Sequence, residues 1–165
     1  MYNKLYLFNI METEELYMSY QEKKSIVSMF SSAIIFGIYC WYIFLKYEQE
    51  LFGIEPSFRY WGAVVLILIP VSIVARIVVF IAFNIINRLA TQEIEPSFED
   101  ELDKLIESKA TRVSHYVFIL GFVLAMGALV LEQSPSVMFV ILFFSGFLSE
   151  AAGHSMQIYH YRKGV

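Results

Sequence analysis

Apolar residues in this chain come in four long runs that polar residues seldom interrupt. Between Lys24 and Lys46 lie 21 residues without a formal charge, and between Arg112 and Glu132 lie 19. Two further stretches, 60–87 and 133–161, each contain a single charged residue. About 20 helical residues are needed to cross a hydrocarbon core of roughly 30 Å. The pattern therefore predicts an all-α integral membrane bundle of four transmembrane helices, at about 25–46, 59–88, 113–132 and 136–160.

Composition sharpens this prediction by excluding other classes. The chain is 58% hydrophobic and 17% charged, whereas soluble domains are about 25% charged. Its net charge of −4 comes without a basic tract, so nucleic acid is not an expected partner. The single cysteine, Cys40, forms no internal disulfide, which excludes membrane enzymes that need a cysteine pair. We expect one membrane domain over 1–165, in which residues 1–24 form a cytoplasmic N-terminal segment.

The distribution of Lys and Arg predicts the orientation of the spans. Nine of these residues fall in the N-terminal segment, the connection between the second and third spans, and the C-terminus, against two (Lys46 and Arg59) on the opposite side. Cytoplasmic connections are enriched in Lys and Arg. Both termini are therefore expected in the cytoplasm, with the protein in a cell inner membrane and membrane lipid around it.

The connection at 89–112 is predicted to form a short amphipathic cytoplasmic helix. Ser97 and Asp100 have the spacing of a capping box, and Phe98, Leu102 and Ile106 fall on one apolar stripe. Membrane-surface helices usually carry Lys and Arg on their polar face, but this one is mainly acidic. It is interpreted either as a solvated linker or as a binding surface for a cytoplasmic protein. The candidate partner-binding residues are Glu99, Asp100, Glu101, Asp103 and Glu107.

Two charged residues of opposite sign lie deep within the second and fourth spans. Arg76 is 16 residues from the outer end of its span and Glu150 is 14 residues after Ser136, or roughly 24 Å and 21 Å at 1.5 Å per residue. Charges inside a membrane usually pair or face a cavity. We therefore predict that Arg76 and Glu150 pair in the inner half of the bundle.

Further polar residues recur on the same helical faces as this pair. They predict an intramembrane pocket open toward the cytoplasmic side, which is either a functional cavity or a set of polar contacts that tie helices together. Ser25, Ser28 and Ser32 form a polar face on the first span. The candidate pocket residues are Ser72, Arg76, Asn84, His115, Glu150, His154 and Gln157.

Two other patterns leave alternatives open. Each half of the chain has an acidic stretch, a span, a Pro-Ser turn and a second span, which is either a parallel two-helix repeat or a similarity of composition. Small residues on the third span (Gly121, Ala125, Ala128) and the fourth (Ser145, Ser149, Gly153) allow close helix packing. That seam lies either within one chain or between subunits of a homo-oligomer.

Three classes of function remain compatible with these features. The first is a non-enzymatic regulatory or partner-binding membrane subunit. The second is a small oligomeric transporter or channel using Arg76, Glu150 and His154, with Pro70 breaking the second span near the site. The third is a haem- or metal-binding enzyme, in which His115 and His160 would hold a haem. No catalytic residue, metal ligand or cofactor is predicted.

A stretch of the second half resembles a known group of sequences. The residues EDELDKLIESKATRVSHYVF, LGFVLAMGALVL and FSGFLSEAAGHSMQIYHYRKG, within 97–164, resemble the second half of small, uncharacterised bacterial four-span membrane proteins. The resemblance implies a bacterial inner membrane. It implies no activity and no site residues.

Overall fold

The structure, a computed structural model, describes residues 18–50, 58–91 and 101–163. Side chains are described at all of these positions except 47–50 and 91. These ranges contain four α-helices and no strand. Each helix is long and apolar enough to cross a membrane, which confirms the four predicted spans. The helices are α1 (Tyr20–Glu50), α2 (Phe58–Thr91), α3 (Glu101–Val130) and α4 (Pro135–Lys163).

Local sequence explains where several helices begin and end. The Ser19 hydroxyl accepts a hydrogen bond from the backbone N–H of Glu22 (3.1 Å), which caps the start of α1. Pro135 opens α4, at the position where a missing N–H costs nothing. After α3, Gln133 donates its backbone N–H to the carbonyl of Ala128, and Glu132 takes a left-handed φ of 57°. Glycine usually occupies that position of such a C-cap.

One prediction about helix continuity is wrong: Pro70 lies inside α2, and the helix runs through it without a break. Residues 101–112, the described part of the predicted linker helix, are helical and form the first three turns of α3. The capping residues Ser97 and Asp100 lie outside the described residues. The helices extend beyond the predicted spans. The thickness of the hydrocarbon sets the length of the apolar run, but the helix itself can continue past that run.

The helices pack unevenly around α4. The pair α3 and α4 has the most extensive contact, α1 packs on α4 and α2, and α2 touches α4 at few positions. Within the described ranges α2 and α3 make no contact, so the bundle is open on that side. We call the end where α1 and α3 begin the basic end, and the opposite end the turn end.

Small residues bring α3 and α4 close together. Gly121, Ala125 and Ala128 are buried, and a Cβ at Gly121 would overlap the side chain of Ser145. A Cβ at Gly153 would lie 3.4 Å from the Ser114 Cβ. The predicted small-residue seam is therefore an intramolecular contact between α3 and α4.

An aromatic cluster holds α1, α2 and α4 together toward the turn end. Its buried members are Tyr39, Trp61 and Val64, packed against Phe139 and Phe143. Tyr39 donates its hydroxyl to the carbonyl of Val64 (2.6 Å). These contacts leave the interior polar toward the basic end and apolar toward the turn end.

Candidate functional site

The predicted pair between Arg76 and Glu150 is present at the centre of the bundle. Arg76 Nη2 lies 2.5 Å from Glu150 Oε2. The other carboxylate oxygen of Glu150 accepts a hydrogen bond from the Ser32 hydroxyl (2.5 Å) and lies 3.7 Å from His154 Nε2, one turn along α4. Helices α1, α2 and α4 thus all meet at one carboxylate.

The polar faces predicted on α1 and α4 meet along a line toward the basic end. Ser25 donates its hydroxyl to Gln157 Oε1 (3.2 Å), and the same oxygen lies 3.3 Å from His154 Nδ1. The spacing of these residues, three and four apart on each helix, places them on facing sides. Polar groups therefore continue from Glu150 to Gln157 through His154.

Three adjoining cavities follow this line. The mouth cavity, about 200 Å³, lies near the basic end, and its walls include Lys24, Ser28 and His154. The central cavity, about 180 Å³, shares those three residues and is also lined by Ser32, Arg76 and Glu150. The apolar cavity, about 330 Å³, shares the last three and extends toward the turn end. The Arg76–Glu150 pair therefore forms the common wall between a polar space and an apolar one.

Aromatic rings close the apolar cavity toward the turn end. Phe36 stacks on Phe147 with ring centroids 4.3 Å apart and on Phe143 at 4.8 Å. Beyond them lies the buried cluster of Tyr39, Trp61 and Val64. The polar line thus reaches the bundle centre from the basic end and stops there.

The central cavity has an excess of positive charge. Two of its lining residues, Lys24 and Arg76, are cationic, and Glu150 is its one acidic residue. The Lys24 ammonium also lies 4.8 Å from the ring centroid of Phe80, a contact that favours a cation at this wall. The cavity is therefore suited to an anionic group.

Other predicted pocket residues have separate positions. Ser72 lines the apolar cavity. Asn84 lies outside the three cavities and accepts a hydrogen bond from the Tyr20 hydroxyl (2.5 Å), which joins α1 to α2 near the basic end. His115 is exposed on α3 and lines none of the cavities. The adjacent Ser114 faces α4 and bonds Ser149 (2.9 Å), and one residue turns a helix by about 100°, so the structure does not bring His115 together with the other pocket residues.

The acidic residues at the start of α3 lie at the mouth of the polar line. Asp103 accepts a hydrogen bond from the Tyr161 hydroxyl (3.0 Å), and both residues line the mouth cavity with Glu107. Glu101 is exposed. Of the predicted apolar stripe, Ile106 is buried, while Leu102 is 40% exposed. Glu99 and Asp100 lie outside the described residues.

The geometry gives no support for a haem between His115 and His160. His160 is buried, and its two ring nitrogens have no hydrogen-bond partner among the described residues. It adjoins Tyr161, which bonds Asp103, so it lies level with the first turn of α3. His115 lies 12 residues beyond Asp103, roughly 18 Å along the helix, and faces outward. Within the described ranges, no three His, Cys, Asp or Glu residues are grouped as metal ligands would be.

Several polar contacts were not predicted from the sequence. Arg162 donates Nε to Glu22 (2.6 Å), which joins the ends of α4 and α1. Lys24 was used for orientation but lines two of the cavities. Its position one residue before Ser25 and four before Ser28, both on the polar face of α1, was the available signal.

Comparisons with known proteins assign no family and no function to this site. No family model, no curated protein and no solved structure matches the chain.

Proposed function

We propose that the protein is a non-enzymatic, multi-pass membrane subunit that responds to the state of the Arg76–Glu150 pair and signals it to a cytoplasmic protein. The observation that supports this proposal is the continuity of the polar line. His154 and Gln157 connect Glu150 to the mouth cavity, where Asp103 and Glu107 of the acidic segment form the wall. A change at the pair therefore has a direct structural route to the candidate partner surface.

Orientation is part of this proposal. The excess of Lys and Arg at the basic end supports a cytoplasmic location for that end and for both termini. A cytoplasmic partner would then meet the acidic start of α3 and the mouth cavity together. The bacterial inner membrane suggested by the resemblance is compatible with this arrangement.

Cysteine labelling tests the coupling between the pair and the acidic segment. In a Cys40→Ser background, Glu101→Cys supplies one thiol at the start of α3 and Gln133→Cys supplies a matched thiol at the turn end. We expect Glu150→Gln to change the labelling rate of a membrane-impermeant maleimide at position 101 and to leave position 133 unchanged. Equal rates at position 101 with and without Glu150→Gln would reject the coupling.

Partner binding is tested separately. Glu101→Ser with Glu107→Ser removes two exposed acidic groups from the candidate surface, and Glu132→Ser removes one at the turn end. We expect a co-purifying cytoplasmic protein to be lost from the first variant and kept by the second. Retention by both variants would exclude this surface as the docking site.

A small oligomeric transporter or channel is the second candidate function. The observation in its favour is the line of polar groups from Gln157 through His154 and Glu150 to Ser32, in which His154 and Glu150 can exchange protons. Buried carboxylates and histidines of this kind serve as proton relays. The aromatic closure beyond Phe36 favours the subunit over the transporter. Proton flux into proteoliposomes that disappears in Glu150→Gln would reverse that preference.

A further inference from the structure

The guanidinium of Arg76 has more hydrogen-bonding capacity than its partner uses. Arginine has five N–H donors, and within the described part of the chain Arg76 donates one hydrogen bond, to Glu150. The Arg76 side chain is 55% exposed, against 23% for Glu150. A charge at this depth is costly unless it meets a partner or a polar cavity. The remaining donors are therefore available to a ligand in the two cavities that Arg76 lines.

The two cavities that share Arg76 have different chemistry. On the central side the wall includes Lys24 and three serines. On the other side the wall is mainly aliphatic and aromatic, with Ile35, Phe36 and Leu68 among its members. A ligand that satisfies both sides has an anionic group at Arg76 and a hydrocarbon chain beyond it.

The apolar cavity is also accessible from the bilayer. Ile69 and Ile73 line it and are each 53% exposed, so its wall along α2 is not covered by another helix of the described chain. This follows from the weak packing of α2 on α4 and its lack of contact with α3. A lipid-soluble molecule can enter sideways from the surrounding hydrocarbon.

We propose that Arg76 and Lys24 bind the carboxylate of a single-chain anionic amphiphile whose hydrocarbon chain lies in the apolar cavity. Arginine binds carboxylates with two parallel N–H donors, and one chain suits the single apolar space that adjoins the pair. Glu150 competes with the ligand for the guanidinium. This inference rests on the proposed function, since it names the ligand to which the pair responds.

Direct binding measurements with three probes test the ligand class. Laurate has the carboxylate and the chain, acetate has the carboxylate alone, and dodecanol has the chain alone. Each is titrated as radiolabelled probe into the protein in phosphatidylcholine nanodiscs, with empty nanodiscs subtracted. We expect saturable binding of laurate at least about tenfold tighter than dodecanol, which corresponds to about 1.4 kcal/mol. Equal binding of laurate and dodecanol, or equal binding of acetate and laurate, would overturn the proposal.

Two charge variants with opposite expected effects separate binding from a structural role. Arg76→Gln should weaken laurate binding by about tenfold or more, and Glu150→Gln should strengthen it because the competing carboxylate is neutralised. A pair that only holds the helices together would give losses in both variants. Weaker binding in Glu150→Gln therefore counts against the proposal.

A glycine pair supplies a steric test that leaves the charges intact. Gly146 lines the apolar cavity, and a Cβ there meets no atom within 4 Å, so Gly146→Leu should fill the chain site and weaken laurate binding by about tenfold. Gly127 on α3 has equally open space and lines none of the cavities, so Gly127→Leu should bind laurate normally. Unchanged binding in Gly146→Leu would exclude the cavity.

The two proposals can fail independently. Laurate binding without any change in labelling at position 101 would support the ligand assignment and reject the coupling to α3. A labelling change in Glu150→Gln together with no specific laurate binding would reject the ligand assignment and keep the coupling.

Discussion

Exchanging the charges of Arg76 and Glu150 tests whether the pair itself stabilises the fold. An unpaired arginine at the centre of a membrane helix costs at least about 2.5–3.5 kcal/mol on insertion scales. Arg76 is 55% exposed and lines the polar central cavity, so we expect the cost of removing its partner to be smaller. We expect Glu150→Gln to lower the free energy of unfolding by about 1–2 kcal/mol, since half-exposed ion pairs are discounted by solvent.

The variant Arg76→Gln should lower the free energy of unfolding by less than Glu150→Gln does. In Arg76→Gln the Glu150 carboxylate keeps the Ser32 hydroxyl at 2.5 Å and the His154 ring at 3.7 Å. The double exchange, Arg76→Glu with Glu150→Arg, should restore the attraction between the two positions. Coupling energies between contacting residues are about 0.5–3 kcal/mol, and we expect about 1 kcal/mol here because of the exposure of Arg76.

Thermal unfolding in nanodiscs measures these effects through the two tryptophans. Trp61 is buried in the aromatic cluster, while Trp41 is 68% exposed, so the fluorescence change on unfolding reports mainly on Trp61. One kcal/mol corresponds to about 2–4 °C in Tm for a chain of this size. Arg88→Gln, which removes an exposed arginine at the end of α2, should change Tm little. A double exchange that is less stable than both of its own single variants, Arg76→Glu and Glu150→Arg, would refute a direct stabilising pair.

Three further substitutions test packing and hydrogen bonding by the same measurement. Gly121→Leu should destabilise by about 1–3 kcal/mol or more because its Cβ overlaps Ser145, whereas Gly127→Leu, with open space around it, should not; equal losses would contradict the seam. Glu132→Gly should stabilise by about 0.5–1 kcal/mol, because glycine adopts a positive φ without strain; a loss would contradict the turn geometry. Ser136→Ala should cost about 1 kcal/mol because it removes the acceptor of the hydrogen bond from Trp61 Nε1 (3.1 Å), and an unchanged Tm would indicate that this bond contributes nothing.

The depth of a residue along its helix was predictable from the sequence, but the side of the helix on which its side chain lies was less predictable. The sequence pairs Arg76 with Glu150 because they lie at nearly equal distances from the turn end of their spans, and α2 and α4 run in the same direction, so similar depths lie side by side. His115 was assigned by depth alone and faces outward, because the seam partner Ser114 fixes the rotation of α3. The serines of α1 were placed correctly because their spacing gives a direction as well as a depth.

Helix contacts that depend on the shapes of the packed surfaces could not be predicted from the sequence. Small residues predicted a close seam but not which helices share it, since such residues pack equally well within a chain or between chains. The continuity of α2 through Pro70 and of α3 through 101–112 also depends on neighbours and on residues beyond the hydrocarbon. The cavities follow from the uneven packing of α2, which no local pattern encodes.

That uneven packing identifies α2 as the element most open to displacement. Helix α4 is fixed by the close seam with α3, where Gly121 leaves no space for a side chain. Helix α2 is held toward the turn end by the aromatic cluster and elsewhere by polar contacts, including those of Arg76 with Glu150 and of Asn84 with Tyr20. A ligand that competes with Glu150 for Arg76 would remove one of these contacts while leaving the α3–α4 seam intact. We therefore expect ligand binding to shift α2 about its aromatic end and to release Glu150 toward His154, the first residue of the line that leads to Asp103.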